Sequence, residues 1–305
     1  MIIIGAGMAG LLAGAMLRGD CHKILEAQAE IPNNHSAVLR FRSTVVADTL
    51  NIPFKEVQVM KAVQPWRNPV ADAMAYSFKN TGTSTLRSIT TANGEVSTRY
   101  ISPPDFIQRM ADCVTAPIEF STKAGFQDFF SSHKVLKIST MPMPVLMRML
   151  EWETTEKFQA VDGINIKAKV ENMDSYFSLY IPDPSYPGSR ISVTDDELTI
   201  ECPDTERGDL DIEKVVATAA NGIGVSAARI KNVNAREQKY AKILPIDENQ
   251  RKRFLLWATE KFNIYSLGRF ATWRPGLLLD DVVNDVRVIC RMASGETAYD
   301  AKKGD

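Results

Sequence analysis

Hydrophobic residues open the chain as a short uniform run. Ile2, Ile3 and Ile4 read as a strand buried on both faces, and Gly5, Gly7 and Gly10 follow at once. From Leu11 to Arg18 the apolar positions recur at helical spacing. A second apolar run, Lys23-Ile24-Leu25, then ends on Glu26. The order is strand, G-x-G-x-x-G turn, helix, strand, acid, which is the order a dinucleotide site requires.

The pattern breaks between Ala27 and Ser36, where Pro32, Asn33 and Asn34 predict a loop. Val38 to Arg42 alternates like a strand, with Arg40 and Arg42 on one side. Residues 44–80 carry mixed helical signal interrupted by Pro53, Pro65 and Pro69. Ser102 is placed to cap a helix with Pro103 at its first position and Phe106, Ile107, Met110 and Val114 on its apolar face. Val135 to Ser139 reads as a buried strand that stops at Pro142 and Pro144, before a helix through Leu146, Met149 and Leu150. Residues 160–202 alternate in four runs, which predicts an antiparallel meander. Asp211 to Ala220 is helical and ends at Asn221-Gly222-Ile223-Gly224, so this second glycine pair follows a helix and is no second dinucleotide loop. Arg251 begins an amphipathic helix with Phe254, Leu255, Trp257 and Ala258. Ile264 to Pro275 reads as strand, Gly268 and an aromatic loop, and Asp280-Asp281 caps a last helix through Val282, Val283, Val286 and Ile289.

Each glycine of the opening turn has a job. Gly5 allows the tight turn, Gly7 lets the backbone come close to a pyrophosphate, and Gly10 lets the helix lie on the sheet. The helix N-terminus offers free N–H groups and partial positive charge to phosphates. Glu26 can accept hydrogen bonds from a ribose.

Composition narrows the surroundings. The chain has 305 residues, 45% hydrophobic and 24% charged, which is ordinary for a globular protein with two lobes. A net charge of −1 gives no global field for nucleic acid or an anionic membrane. No apolar run approaches the roughly 20 residues of a membrane helix. The first strand has no basic leader and is consumed by the glycine turn, so it is not expected to be a signal peptide. Cys21, Cys113, Cys202 and Cys290 are far apart and form no C-x-x-C. Reduced thiols in a cytoplasmic protein and no metal site are the expectation.

Three separated segments together resemble one family. The motif ending in Glu26 resembles the FAD-binding fingerprint of the two-domain flavoproteins, such as amine oxidases, protoporphyrinogen oxidase and UDP-galactopyranose mutase. Lys137-Ile138-Ser139-Thr140-Met141-Pro142 resembles the strand those enzymes place against FAD. Leu267-Gly268-Arg269-Phe270-Ala271-Thr272-Trp273, with Asp280-Asp281, resembles their C-terminal return to the cofactor. Tyr180-Ile181-Pro182 with Arg190-Ile191-Ser192 is similar to a substrate-sheet segment of the mutase branch. The chain departs from the family after the acid: a Gly-Gly pair and an Arg are replaced by Pro32-Asn33-Asn34-His35, with arginines only at 40 and 42.

The resemblance implies an α/β fold (α+β overall), a Rossmann-like FAD-binding domain carrying an inserted, smaller antiparallel-sheet substrate domain. Residues 1–60, 117–155 and 236–305 are expected in the FAD-binding domain, and 61–116 and 156–235 in the substrate domain. The FAD-binding residues it implies are Gly5, Gly7, Met8, Ala9, Gly10, Glu26, Ala27, Arg42, Ser139, Thr140, Met141, Gly268, Arg269, Asp280, Asp281 and Val282. Backbone amides near Asp280 and Asp281 would face the isoalloxazine. Arg40, Tyr180, Arg190 and Arg274 are candidates for substrate binding. Lys239, Tyr240, Tyr265 and Trp273 are candidates near the reacting atoms, and no residue stands out as a general base.

The implied chemistry is an amine-oxidase-like oxidation of a C–N bond, imine formation followed by hydrolysis. One possible substrate is an amino-acid-modified thymine in phage DNA, whose backbone would meet Lys239, Lys242 and Arg251 to Arg253. The alternatives are a mutase-like flavoenzyme acting on a nucleotide sugar and a non-catalytic flavin-binding protein. An NAD-dependent dehydrogenase would not need the C-terminal Gly-Arg-Phe return.

Overall fold

The computed structural model describes residues 1–32, 38–65, 67–86, 94–130, 135–203 and 210–294. The chain begins β1 (Ile2–Ile4), α1 (Met8–Leu17) and β2 (Lys23–Leu25), as the apolar runs predict. It continues β3 (Arg40–Phe41), α2 (Val45–Leu50), β4 (Lys55–Val63), α3 (Pro69–Thr81), β5 (Val96–Ile101) and α4 (Phe106–Asp112). Next come β6 (Ile118–Glu119), α5 (Phe126–Phe130), β7 (Lys137–Ser139) and α6 (Met143–Met149). Strands β8 (Ala160–Val170), β9 (Ser175–Tyr180), β10 (Arg190–Asp195) and β11 (Glu197–Pro203) lead to α7 (Ile212–Gly222). The chain closes with β12 (Ile230–Ile243), α8 (Glu248–Phe262), β13 (Ile264–Ser266) and α9 (Leu279–Ser294).

Two sheets organise these elements. The first is five-stranded, in the order β13-β7-β1-β2-β6, and its pairings are all parallel. Strands β1, β2 and β7 at its centre are largely buried because helices cover both faces. Leu11, Leu12, Phe106, Met110, Val283 and Val286 fill one face. Leu146, Phe254, Phe262 and Trp273 fill the other. The chain moves from β1 to β2 on one side, and β7 lies on β1's other side. Strand order therefore reverses between β1 and β7, and ligands of such sheets lie at the carboxyl ends beside that reversal.

The second sheet has eight strands in the order β12-β8-β11-β10-β9-β4-β5-β3. Its two faces differ. Ile166, Leu179, Ile191 and Ile200 are buried on one side under α7, with Val215, Val216, Ala219 and Ala220. Each fully buried valine of that helix contributes roughly 1.5–3 kcal/mol. The other face is polar, because Tyr180, Arg190, Glu201 and Asn165 lie side by side across four strands.

Several expectations need correction. The mixed signal at 44–80 hides β4, a strand whose Val57, Val59 and Val63 are buried while Glu56, Gln58 and Met60 point out. The runs at 160–202 are no simple meander: β11 turns back onto β8, and β9 pairs in parallel with β4. Strands β4 and β12 run across the expected boundaries at 60 and 235, and both belong to the large sheet. Helix α4 packs in the core of the small sheet through Phe106 and Met110, although it falls within 61–116. That helix starts at Phe106 with Asp105 at its cap position, and Pro103 supplies a carbonyl to the Phe106 amide, so Ser102 is not the cap. The expected loop residues Asn33, Asn34 and His35 lie outside the described residues.

The cysteines do not pair: Cys21 and Cys202 are buried, and Cys113 and Cys290 half-buried. Among the described residues no helix is long and apolar enough to cross a membrane.

Helix α3 is fastened to the large sheet by a lysine. Lys79 is 6% exposed, and its Nζ donates to the carbonyls of Ile181 (2.9 Å), Asp183 (2.7 Å) and Gly188 (2.6 Å). Lys79→Met leaves those three carbonyls unserved. The expected cost is roughly 2–4 kcal/mol in urea denaturation; a cost below about 0.5 kcal/mol would show that packing alone holds the connection.

Candidate functional site

The carboxyl ends of β1, β2, β7 and β13 converge. Gly5 has φ +98°, and a Cβ there would sit 2.2 Å from Thr140 Oγ1. Thr140 in turn donates to the Ile4 carbonyl at 2.9 Å, tying β7 to the turn. A Cβ on Gly10 would lie 1.9 Å from the Gly5 carbonyl oxygen, so α1 can start this close only with glycine. Gly268, with φ +92°, brings the loop after β13 against α1, where its Cβ would be 2.8 Å from that of Ala9. Gly7 differs from these: a Cβ added there meets nothing within 4 Å. Gly7 offers no side-chain cap to α1, and the first turn of α1 carries no acid. The first turn of α1 therefore stands at the strand reversal with no side-chain cap, its amides carrying partial positive charge.

Glu26 stands at the end of β2 as expected and is buried. Its Oε2 accepts from the Ala6 amide at 2.6 Å and its Oε1 from the Gln28 amide at 2.8 Å. The acid therefore braces the glycine turn, with a remaining lone pair on each oxygen. Ala27 and Arg42 are exposed, and Met8, Ala9 and Met141 are half-buried. Ser139 is buried and its Oγ accepts from the Met141 amide at 3.3 Å. Ser266, its register partner on β13, has a buried hydroxyl without a hydrogen-bond partner among the described residues.

The start of α9 differs from expectation. Asp280 Oδ1 accepts from Ser43 (Oγ 2.7 Å, N 3.1 Å), and Asp281 Oδ2 accepts from the Leu278 amide at 2.8 Å. The amides of Asp281 and Val282 both donate to the Leu278 carbonyl, and the Val282 side chain is core. The two acids thus tie α9 to Ser43, two residues before α2, and to its own first turn, and those two amides are not free for a ligand.

Beside the crevice lies a polar cluster. Arg190 Nη2 donates to Glu201 Oε1, while Arg190 Nε is buried without an acceptor among the described residues. Burial works against charge on Arg190, and Glu201, Tyr76 and Tyr180 together more than offset it, leaving the guanidinium above its ordinary range. For Glu201 burial likewise opposes ionisation, and Arg190 holds the carboxyl below its usual value. Helix α3 roofs this row. The Tyr76 ring meets that of Tyr180 edge-on at 5.5 Å, and burial pushes its phenol up. Lys242 Nζ, from the end of β12, donates to Asn80 Oδ1 and lies 5.1 Å from the Tyr76 ring centroid. Burial pushes the Lys242 ammonium down to about 7, against Glu201 and with help from Arg190 and Arg269. Arg269 connects cluster and crevice: it follows Gly268, its Nε is buried without a partner among the described residues, and burial lowers its pKa against the pull of Glu201.

Other expected site residues are used elsewhere. Arg40 bonds Ser178 Oγ (2.8 Å), Thr194 Oγ1 (2.8 Å) and the Phe177 and Val193 carbonyls. It clamps β9 to β10, and burial pushes its pKa down to about 10. Arg274 is bonded to Asp285 on α9 and to Thr272 Oγ1. Trp273 is 1% exposed; it donates from Nε1 to the Leu244 carbonyl at 2.9 Å and packs edge-on against Phe158. Tyr265 borders a cavity with Met1, His22, Leu136 and Asn263, at the amino ends of the strands and away from the crevice. Lys239 is exposed; Tyr240 is exposed too, and its ring lies edge-on to Phe270 at 6.2 Å. The expected basic cluster is divided: Lys242 faces inwards, and Arg251 is 9% exposed, bonded to Glu248 and the Thr272 carbonyl.

Residue pattern did not single out Tyr76, Asn80 or Glu201. One signal was available for Glu201: a two-residue turn at Asp195-Asp196 sets Arg190 opposite it.

A lysine with a lowered folded-state pKa costs stability at every pH below its unfolded value of 10.5. The unfolded chain binds the extra proton between about 7 and 10.5, so the cost fades as pH rises through that window. Lys242→Met is therefore expected to melt higher than the parent at pH 6, with the difference shrinking by pH 10. A constant difference across that range would contradict this.

No protein-family model matches the chain, and neither does any curated protein sequence. Solved structures match it in fold. A reduced UDP-galactopyranose mutase is 14% identical with a TM-score of 0.65, over 96% of this chain and 93% of that one. A glycine oxidase from Geobacillus kaustophilus is 12% identical with a TM-score of 0.56, over 97% and 95%. Aklavinone-11 hydroxylase, solved with FAD and aklavinone, is 10% identical with a TM-score of 0.52, over 96% of this chain and 62% of its own.

Proposed function

We propose that this chain, which has the α/β fold of FAD-binding flavoenzymes, binds FAD in the crevice and oxidises a C–N bond beside it. The observation that carries the reading is the open space over Gly7 at an uncapped helix N-terminus, beside the strand reversal. The residues fit the cofactor. The α1 amides and Gly7 would hold the pyrophosphate, the remaining lone pairs of Glu26 the ribose, and Thr140, Gly268 and Arg269 the flavin end. FAD, when bound, supplies the acceptor for a hydride.

The chain's own residues then choose the substrate. Arg190, Lys242 and Arg269 face Glu201 as their only carboxylate among the described groups that influence them. This excess of positive charge suits an amine that carries an anionic group, such as an α-amino acid or an amino acid joined to a larger body. An amino-acid-modified thymine in DNA belongs to that class, and the exposed Lys239, Lys252 and Arg253 would be available to its phosphates.

A second reading is a redox-neutral reaction on a nucleotide sugar, favoured by the match to the mutase over nearly the whole chain. Anaerobic mixing separates the two. Bleaching of oxidised flavin by glycine, alanine or amino-acid-modified thymidine supports amine oxidation. No bleaching by any of these, with turnover of UDP-galactose only after reduction by dithionite, supports the mutase-like reading. Neither response leaves a flavin-binding protein without catalysis.

A further inference from the structure

Two lysines, Lys79 on α3 and Lys242 on β12, are held in opposite ways. Lys79 Nζ has three carbonyl oxygens around it, the full complement an ammonium can serve. Lys242 Nζ has one hydrogen-bond acceptor among the described residues, Asn80 Oδ1, and the face of Tyr76. Asn80 is fully buried on α3, and its Nδ2 donates to the Tyr76 carbonyl at 2.7 Å, which fixes Oδ1 towards the lysine. The groups facing Lys242 are Arg190 from β10, Glu201 from β11 and Arg269 from the loop after β13, with Tyr76 at its ring contact. Glu201 is already bonded to Arg190. Two guanidiniums oppose a third positive charge here, and the neutral amide of Asn80 orients the amine without locking it charged. A carboxylate at position 80 would hold the ammonium permanently.

We propose that Lys242 takes the proton from the ammonium group of an amine substrate and that Asn80 is the residue that positions it. The ammonium N–H bond breaks, the proton bonds to the Nζ lone pair, and the substrate is left as the neutral amine, the form able to release a hydride. No oxidant or further reactant enters this step. A Lys242 that titrates near neutrality suits it. The inference rests on the amine-oxidising reading of the site.

The test uses the flavin-containing protein with 13C-labelled lysine, followed by NMR against pH, with Lys242→Met identifying the resonance. The parent is expected to titrate near pH 7, Asn80→Asp at least about two units higher, and Asn80→Leu no higher than the parent. In anaerobic bleaching by the amine found above, the parent's rate should rise through that same pH. Lys242→Met should lose roughly 10²-fold at pH 7.5 and recover towards the amine's own pKa. A parent Lys242 titrating above 10, or an unchanged bleaching profile in Lys242→Met, overturns the inference. If the flavin is present and no amine bleaches it, the amine-oxidising reading fails instead, and the proton-transfer role fails with it. The separate melting curves of the variants exclude misfolding as the cause.

Discussion

Gly7→Ala is expected to leave the fold intact and lower FAD affinity at least tenfold, whereas Gly10→Ala damages both. The contrast comes from what each added methyl would meet. At Gly7 the backbone is ordinary for alanine, with φ −68° and ψ 174°, and among the described residues the methyl meets no atom within 4 Å beyond its chain neighbours. Stability should stay within about 0.5 kcal/mol of the parent. The methyl instead enters the space through which a pyrophosphate would approach the α1 amides. At Gly10 the methyl would sit 1.9 Å from the Gly5 carbonyl oxygen, so the helix and the turn must separate. Overpacking of that kind costs roughly 1–3 kcal/mol. Thermal melts with and without added FAD check both. Equal FAD affinity in Gly7→Ala and the parent would count against the crevice as the cofactor site.

Arg190→Met is expected to be the most damaging change on the large sheet, at about 3 kcal/mol near pH 7. It removes the partner of Glu201 while leaving the carboxylate in place, and an unpaired interior charge costs more than the pair contributes. Lys242 takes over part of the pairing, which keeps the loss from being larger. The pH dependence has a definite sign. The folded-state pKa of Glu201 is depressed, so its contribution is present above the unfolded value of 4.5 and is lost as pH falls through the folded value. Arg190→Met should therefore lose little further stability over that acid range, and the double variant Arg190→Met/Glu201→Leu should recover at least half of the deficit. Urea denaturation at pH 7 and pH 3.5 checks this. A double variant as unstable as the single one would show that packing around Arg190, not its charge, is what matters.

How much of this was legible depended on sequence distance. The β1–α1–β2 unit and Glu26 are local, and each glycine has a steric reason that follows from the motif itself. The strand ends at Thr140 and Gly268 were readable as well, because each is a short apolar run closed by a residue type that stops it. What the pattern could not carry is direction. Trp273 and Arg274 have the residue types of a site, but one is turned into the core and the other is tied to Asp285. Arg40 lies on the expected strand and is consumed by the backbone of β9 and β10. The lysine cluster at 239–242 splits, with Lys242 turned inwards to Asn80 across 162 residues of chain. No periodicity reports such a contact. Strand β4 was hidden because Pro53 and Pro65 fence a short segment between two helical stretches.

The central claim is that the crevice at the carboxyl ends of β1, β7 and β13 is built for FAD and feeds a site lined by Arg190, Lys242 and Arg269. The most direct measurement is the absorbance spectrum of the purified protein, with the released cofactor identified by chromatography, for the parent and for Gly7→Ala. The account predicts an oxidised-flavin spectrum and one FAD per parent chain, with most of it lost from a well-folded Gly7→Ala. A colourless parent that takes up no FAD on addition, or a Gly7→Ala protein that keeps its full complement, would contradict it.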